Sequence, residues 1–337
     1  MTKRALVTGG CGFIGSNLTH RLVQEGWTVD VVDNMYNGHL ELLEGLKIRV
    51  VPSGDTMLVD FEKVENKARA DRDVLVIQDD FAHPGVLSRV KRKMYDVVFH
   101  QAAVPRVSFS VENPAFTTEV NVWSTVRLFE ACRGNVERVV WASSSSIYGG
   151  ADTMPTHESE PHQPKSPYAW QKCAIEDLSK IFCELYDIDI VCLRYFNVFG
   201  PGQYGDSPYS TVISAWCNNT QQTKPLRSDG DGTQSRDHCY IDNVVDANFL
   251  AATSDISGGF RGRCYNIACG DRTSNNEIAQ YFKDKFAHTV VQDAPWRQGD
   301  VMHTQADICR AREELGYDPA VGFWEGLEKT LEWWGLS

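Results

Sequence analysis

Positive charge is scarce in this chain. Its 33 lysines and arginines are outnumbered by 45 aspartates and glutamates, a net charge of −12, and no basic stripe offsets the deficit. That balance argues against a nucleic-acid-binding or membrane-surface protein. It leaves a phosphate ligand open, because one or two arginines suffice for that inside an acidic protein. Long apolar runs are also lacking: none approaches the ~18 residues that a membrane span needs. The ten cysteines form no CxxC pair and no metal-type spacing. Several of them, Cys192, Cys239 and Cys264, sit in apolar runs, where a free thiol behaves as a small hydrophobe. The nine histidines are dispersed, so no metal site is expected. The opening "MTKRALVTGG" enters a strand at once, leaving no room for a signal peptide. Together these absences predict a soluble cytoplasmic protein with reduced thiols.

What is present is 42% apolar and 23% charged residues over 337 positions, a globular composition long enough for two packed layers or domains. In the first half, "RALVTGG", "TVDVVD", "DVLVIQ", "DVVFHQAA" and "RVVWASSS" are apolar runs of strand length. Helical stretches separate them, such as "GSNLTHRLVQEG" and "VNVWSTVRLFEACRG". Near-continuous apolar strands alternating with helices predict a doubly wound α/β fold with a parallel sheet buried on both faces. The charged run Asp60–Asp73 reads as a solvated surface helix. From about Phe196 the regularity gives way to Pro- and Gly-rich segments, read as a smaller loop-rich domain over the carboxyl edge of the sheet. The expected division is 1–195 plus about 237–262 for the dinucleotide-binding domain, and 196–236 with 263–337 for the second domain.

The stretch "ALVTGGCGFIGSNL" follows a strand and opens a helix, with Gly9, Gly12 and Gly15 at three-residue intervals. Such glycines let the backbone approach a pyrophosphate, which the helix N-terminal amides then hold. The next strand ends at Asp33, eighteen residues beyond Gly15. An aspartate there accepts both ribose hydroxyls of an adenosine and repels a 2′-phosphate, favouring NAD over NADP. "QDDF" ends the third strand, placing Asp80 to hydrogen-bond the adenine.

Four consecutive serines end the strand "VVWASSSSIYGG", where desolvated hydroxyls each need a partner. Twenty residues past Tyr148 lies Tyr168, within "SPYAWQK", a helix start with Ser166 as cap and Pro167 at the first position. Tyr168 and Lys172 are four apart and share a face. Ala174, Leu178, Ile181, Phe182 and Leu185 form an apolar stripe on the same helix. Three positive influences act on the Tyr168 phenol: the Lys172 ammonium, the helix N-terminus and an oxidised nicotinamide ring. Moving a tyrosine from about 10 to about 7 takes roughly 4 kcal/mol, and the result is a general base matched to an alcohol proton. The serine hydroxyls, delivered to the crevice at the strand's carboxyl end, would bridge a substrate oxygen to Tyr168.

With these motifs in order, "TGGCGFIG", "HQAA", "SSSSIYG", "SPYAWQK", "LRYFNVFGPGQ", "SRDHCYIDNVVDA", "YNIACG" and "RQGDVMHTQAD", the chain resembles an extended short-chain dehydrogenase/reductase of the nucleotide-sugar epimerase kind over essentially its whole length. The resemblance implies NAD as cofactor, held by Gly9, Gly12, Phe13, Ile14, Gly15, Asp33, Asn34, Asp80, Phe81, Gln101, Ala102, Ala103 and Tyr195 together with Tyr168 and Lys172. It makes Ser144, Tyr168 and Lys172 the catalytic set, with Ser145 and Ser146 lining the substrate site. Arg236 and Arg297 look placed for the substrate pyrophosphate, where a planar guanidinium fork suits paired phosphate contacts. Asn197 matches a substrate-phosphate asparagine and Asp300 an acidic residue reading the nucleotide ribose.

Dehydratases and decarboxylases of this kind carry acidic residues where Ser145 and Ser146 stand. The 3,5-epimerases and fucose synthases carry a cysteine in a segment where this chain has none between Cys132 and Cys173. The remaining set fits a 4-epimerase acting on a UDP-sugar through a 4-keto intermediate. Hexose-only relatives have a tyrosine where Thr304 stands, so a small side chain here implies room for an N-acetyl group: UDP-GlcNAc/UDP-GalNAc, with UDP-Glc/UDP-Gal also admitted. A UDP-glucuronate 4-epimerase, a dehydratase or oxidoreductase of the same family, and a non-catalytic dinucleotide sensor are the alternatives. His238 departs from a usual Phe, Asn243 from a usual Asp and Ser124 from a usual Gly. The helices carrying "VNVWSTVRLFEACR" and "YAWQKCAIEDLSKIFCEL" resemble those that pair across a two-fold, which implies a homodimer; no nucleic-acid or membrane partner is expected.

Overall fold

A computed structural model describes residues 2–52, 74–205, 210–296 and 301–336. The run Asp60–Asp73, expected as a surface helix, lies outside the described residues.

Eight strands form one parallel sheet: β1 Arg4–Thr8, β2 Thr28–Val32, β3 Ile48–Val51, β4 Val74–Ile77, β5 Val97–His100, β6 Arg138–Ser144, β7 Ile190–Tyr195 and β8 Arg263–Ile267. Their order is β8-β7-β6-β5-β1-β2-β4-β3, so the winding reverses between β1 and β5, the place where an open α/β sheet leaves a crevice at its carboxyl edge. Successive residues of each strand enter different cores. Ala5, Val7, Val29, Val31, Val97 and Phe99 join one cluster, whereas Leu6, Val32, Leu75, Ile77 and Val98 join the other. Both faces need apolar side chains, and the strands read as unbroken apolar runs for that reason. Leu18 and Leu22 of helix Phe13–Gln24 and Val244 and Ala247 of helix Ile241–Thr253 cover the first face. Val86, Leu128, Phe129, Ile175 and Phe182, from three other helices, cover the second.

The eighth strand, Arg263–Ile267, pairs residue for residue with β7. Beyond it lie helices Asn275–Lys285, Cys309–Leu315 and Phe323–Trp333. Ser274 and Glu277 form a reciprocal capping box on the first of these.

Helix Pro167–Tyr186 starts as its sequence predicts, with the Ser166 hydroxyl accepting the Ala169 amide at 3.1 Å. The apolar stripe is corrected. The inward face is Tyr168, Lys172, Ile175, Glu176, Ser179, Phe182 and Cys183, while Ile181 and Leu185 are 48% and 66% exposed. The outward stripe therefore runs over the surface beside Trp170 and Trp123, which are also exposed.

Candidate active site

A cleft of about 1170 Å³ runs across the carboxyl edge of the sheet. Its floor at one end is the loop Gly9–Gly15. Gly9 has φ +69° and packs so closely on the next crossover that a Cβ would stand 2.9 Å from the Ala102 backbone. At Gly15 a Cβ would stand 2.1 Å from the Gly9 carbonyl oxygen. No side chain caps the helix start at Gly12, so the first-turn amides remain available where Gly12, Phe13, Ile14 and Gly15 line the cleft, as a pyrophosphate requires.

Asp33 stands at the end of β2, 8% exposed. Its two carboxylate oxygens accept the Cys11 amide at 3.0 Å and the Met35 amide at 2.9 Å. That fixes the carboxylate and leaves acceptor capacity on each oxygen for a ribose hydroxyl. Burial pushes its pKa up against those amides. Asn34, Phe81, Gln101, Ala102 and Ala103 line the same half. Asp80 Oδ1 accepts the Ala82 amide at 2.7 Å, closing the turn after β4, and its neighbours Asp79 and Phe81 line the cleft. Tyr195 lines it too, but its hydroxyl is tied to Gln101 and Asn248 at 3.1 and 3.0 Å. The glycine cradle and the anchored carboxylate fit a dinucleotide.

His100, in the "HQAA" segment, locks this bank. The Thr8 hydroxyl accepts the Ala102 amide at 3.1 Å and lies 2.7 Å from His100 Nδ1. His100 Nε2 lies 2.9 Å from the Thr125 hydroxyl, which donates to the Asn121 carbonyl at 2.9 Å. The direction of this chain makes His100 neutral, with Nδ1 accepting and Nε2 donating. Burial, helped by the Lys172 charge, lowers its pKa to about 3.

The four serines divide. Ser143 donates to the buried Glu176 carboxylate. The Ser144 hydroxyl accepts the Ser146 amide at 3.2 Å and hydrogen-bonds the Tyr168 phenol. Ser145 lines the cleft. The Ser146 hydroxyl is buried without a partner, an orphan that a substrate oxygen would satisfy. Lys172 Nζ donates to the Ala142 carbonyl at 2.6 Å and lies 5.6 Å from the Tyr168 ring centre. Ser144, Tyr168 and Lys172 thus meet at one point. In the protein alone, without the nicotinamide charge that the expected drop includes, burial pushes the Tyr168 pKa up to about 12 despite the Ser144 hydrogen bond. Burial also lowers Lys172 to about 7. A desolvated pair of this kind holds its protons as neutral phenol and weak ammonium.

The other half of the cleft is lined by Asn197, Arg236, His303 and Thr304. Thr304 Oγ1 accepts from Asn197 Nδ2 at 3.2 Å and from the Asp237 amide at 3.3 Å. Arg236 Nη1 is braced on the Ser235 and Met302 carbonyls at 3.0 and 3.1 Å. Next to it, the buried Asp237 carboxylate accepts the Cys269, Gly270 and Ala306 amides, each at 3.0 Å, clamping three loops around the arginine. Arg297 and Asp300 lie outside the described residues. His303, whose Nδ1 lies 2.9 Å from the Ser235 hydroxyl, and the Asp237 clamp escaped the sequence reading. Nothing local distinguishes them from surface polar residues.

Comparison with known proteins bears on this site. The description "NAD dependent epimerase/dehydratase family" matches residues 5–268. A UDP-glucose 4-epimerase of Mycolicibacterium smegmatis is 35% identical over 98% of this chain and 97% of its own. A UDP-glucuronate 4-epimerase of Thermodesulfobacterium geofontis is 30% identical over 97% and 95%. Among solved structures, a UDP-N-acetylglucosamine 4-epimerase from Methanobrevibacter ruminantium, in complex with UDP-N-acetylmuramic acid, superposes with a TM-score of 0.84 at 32% identity, covering 98% of both chains. A family match across most of the chain, joined to the glycine cradle, Asp33 and the Ser144–Tyr168–Lys172 cluster, leads to one statement: the chain belongs to the NAD dependent epimerase/dehydratase family and has the extended short-chain dehydrogenase/reductase fold.

Proposed function

We propose that the protein is a UDP-sugar 4-epimerase acting on the UDP-GlcNAc/UDP-GalNAc pair, with UDP-Glc/UDP-Gal also accepted. The observation that carries the reaction type is the junction of Ser144, Tyr168 and Lys172 at the end of β6, with Ser145 and Ser146 beside it and no carboxylate among the strand-end residues. Tyr168, hydrogen-bonded to Ser144, takes the proton of the 4-hydroxyl and later returns it to the 4-keto oxygen. Lys172, seated on the Ala142 carbonyl, supplies positive charge beneath the phenol. NAD, when bound, accepts the hydride from carbon 4 and gives it back. Inversion requires the sugar to turn between the two transfers. Arg236 and Asn197 would therefore grip the diphosphate, while the sugar meets only short hydroxyl side chains. Arg297 and Asp300 are proposed to complete the grip on the nucleotide.

Thr304 supports the choice of sugar, because its short side chain borders the cleft where a tyrosine would project into it. A UDP-glucuronate reading has one observation in its favour, the buried, unpartnered Ser146 hydroxyl, a ready donor to a carboxylate. Homodimer formation is proposed through the outward stripe of helix Pro167–Tyr186.

The test is incubation of the purified protein, first without and then with added NAD, with UDP-GlcNAc, UDP-Glc and UDP-glucuronate, following products by NMR. Conversion of UDP-GlcNAc to UDP-GalNAc is the expected result. Turnover of UDP-glucuronate alone overturns the substrate and keeps the chemistry. A 4-keto-6-deoxy product or released NADH overturns the reaction type.

A further inference from the structure

Ser143, the first serine of the strand end, donates to Glu176, and this partner ties the strand end to the catalytic helix and the neighbouring strand. Ser143 and Arg194 are register partners on β6 and β7, and both reach Glu176. Ser143 Oγ donates to Glu176 Oε1, which also accepts Arg194 Nε at 3.0 Å. Glu176 Oε2 accepts Arg194 Nη2 at 2.7 Å and lies 3.2 Å from His162 Nε2. Glu176 belongs to the helix of Tyr168 and Lys172, one turn past the lysine and two past the tyrosine. The next residue after Ser143 is Ser144, and the residue before it, Ala142, carries the carbonyl that receives Lys172 Nζ. One buried carboxylate thereby cross-links the strand end, its neighbour strand and the catalytic helix.

Burying a charge is costly, and an apolar trio would join the same elements at no such cost. What an apolar trio lacks is a carboxylate one helical turn from an ammonium, here shared with the Arg194 guanidinium at 2.7 Å. The groups facing Lys172 are Tyr168 and Glu176 on its own helix, the Trp141 ring at 4.8 Å on β6, Cys192 on β7 and His100 on β5. Of these, Glu176 is the charged group that opposes the burial weakening the ammonium. Glu176 stays charged throughout: burial alone would raise its pKa, yet hydrogen bonds from His162, Arg194 and Ser143 bring it down to about 2.

We propose that Glu176 is a positioning residue of the reaction, holding Ser144 in place through Ser143 and serving as the counter-charge of the Lys172 ammonium. The inference rests on the Ser144–Tyr168–Lys172 reading given above. It is tested by following the titration of Lys172 in NAD-loaded protein carrying 15N-labelled lysine, together with the pH profile of turnover. In Glu176→Gln the Lys172 midpoint falls by about one pH unit, and the basic limb of kcat moves down with it. In Ser143→Ala the midpoint stays, while kcat drops about tenfold at little-changed KM, the mark of a misplaced reacting group. Glu176→Asp, which keeps the charge at shorter reach, restores the midpoint and not kcat. An unmoved midpoint in Glu176→Gln overturns the counter-charge, and wild-type kcat in Ser143→Ala overturns the tether. Should Glu176→Gln fail to fold, Glu176→Asp takes its place: a midpoint displaced as if the charge were gone, or wild-type kcat, refutes the proposal. If no UDP-sugar turns over in any form, the 4-epimerase reading fails while the Lys172 midpoint still decides this one.

Discussion

Asn243 clasps Val321 with both ends of its amide: Nδ2 donates to the Val321 carbonyl at 2.8 Å and Oδ1 accepts the Val321 amide at 3.1 Å. The pair joins helix Ile241–Thr253, packed on the sheet, to the segment just before helix Phe323–Trp333, with Asn243 1% exposed. An aspartate in its place loses the donor and sets a carboxylate against a carbonyl. Asn243→Asp is expected to destabilise the protein by about 2–4 kcal/mol, read by chemical denaturation. A change within 0.5 kcal/mol would sink this account of why the chain departs here from the usual residue.

Gly15→Ala should abolish NAD binding while the sheet still folds. The added methyl meets the Gly9 carbonyl at 2.1 Å, so the loop must open where the pyrophosphate would sit. Bound NAD is measured after denaturing the protein, and folding by circular dichroism. Full NAD content in the variant contradicts the cradle.

Lys172 links stability to pH in a defined direction. Its folded pKa lies near 7 against an ordinary 10.5, first because of burial. Below pH 7 the lysine is charged in both states, and the folded state carries the whole desolvation cost. Between 7 and 10.5 only the unfolded state keeps the proton, so stability contributed by this group rises with pH. Lys172→Met is therefore expected to stabilise the NAD-free protein by about 2 kcal/mol at pH 6, a gain that fades towards pH 10, while abolishing turnover. Thermal denaturation of both forms at pH 6, 8 and 10 checks it; an equal gain at every pH refutes it.

Thr304→Tyr is expected to lower kcat/KM for the N-acetylated pair at least tenfold more than for UDP-Glc, because the ring takes the space of the acetyl group. It also removes the hydroxyl that accepts from Asn197 Nδ2 and the Asp237 amide, leaving Asn197 Nδ2 its bond to the Asp237 carbonyl and the Asp237 amide without this acceptor, so both substrates suffer a common loss. Only the ratio is diagnostic, and an unchanged ratio removes Thr304 from the specificity argument.

Leu185→Glu should convert a dimer to monomer in sedimentation analysis without lowering the melting temperature by more than a few degrees. Leu185 is the most exposed apolar residue of the helix stripe that also carries Ile181 and Trp170. Identical sedimentation of wild type and variant would place any interface elsewhere.

The parts legible in the sequence were those whose cause is local. The glycine loop, the apolar strands and the Tyr168–Lys172 spacing each follow from a few adjacent residues. Strand Ile48–Val51 escaped because an edge strand is covered on one side, and its exposed Arg49 breaks the apolar run. Ile181 and Leu185 were grouped by helical period, which finds a stripe without saying what covers it. The Glu176–Ser143 and Asn243–Val321 bonds span 33 and 78 residues, and sequence distance hides such partners altogether.

The Thr8–His100–Thr125 chain has a consequence for durability. It contains no formal charge, and its single titratable member stays unprotonated down to about pH 3. Acidification to pH 5 therefore leaves the bank beside the glycine loop with the same donors and acceptors that it has at neutrality. A rate lost through the protonation of Tyr168 is then lost by chemistry and not by a change in this bank, and returning to neutrality restores it.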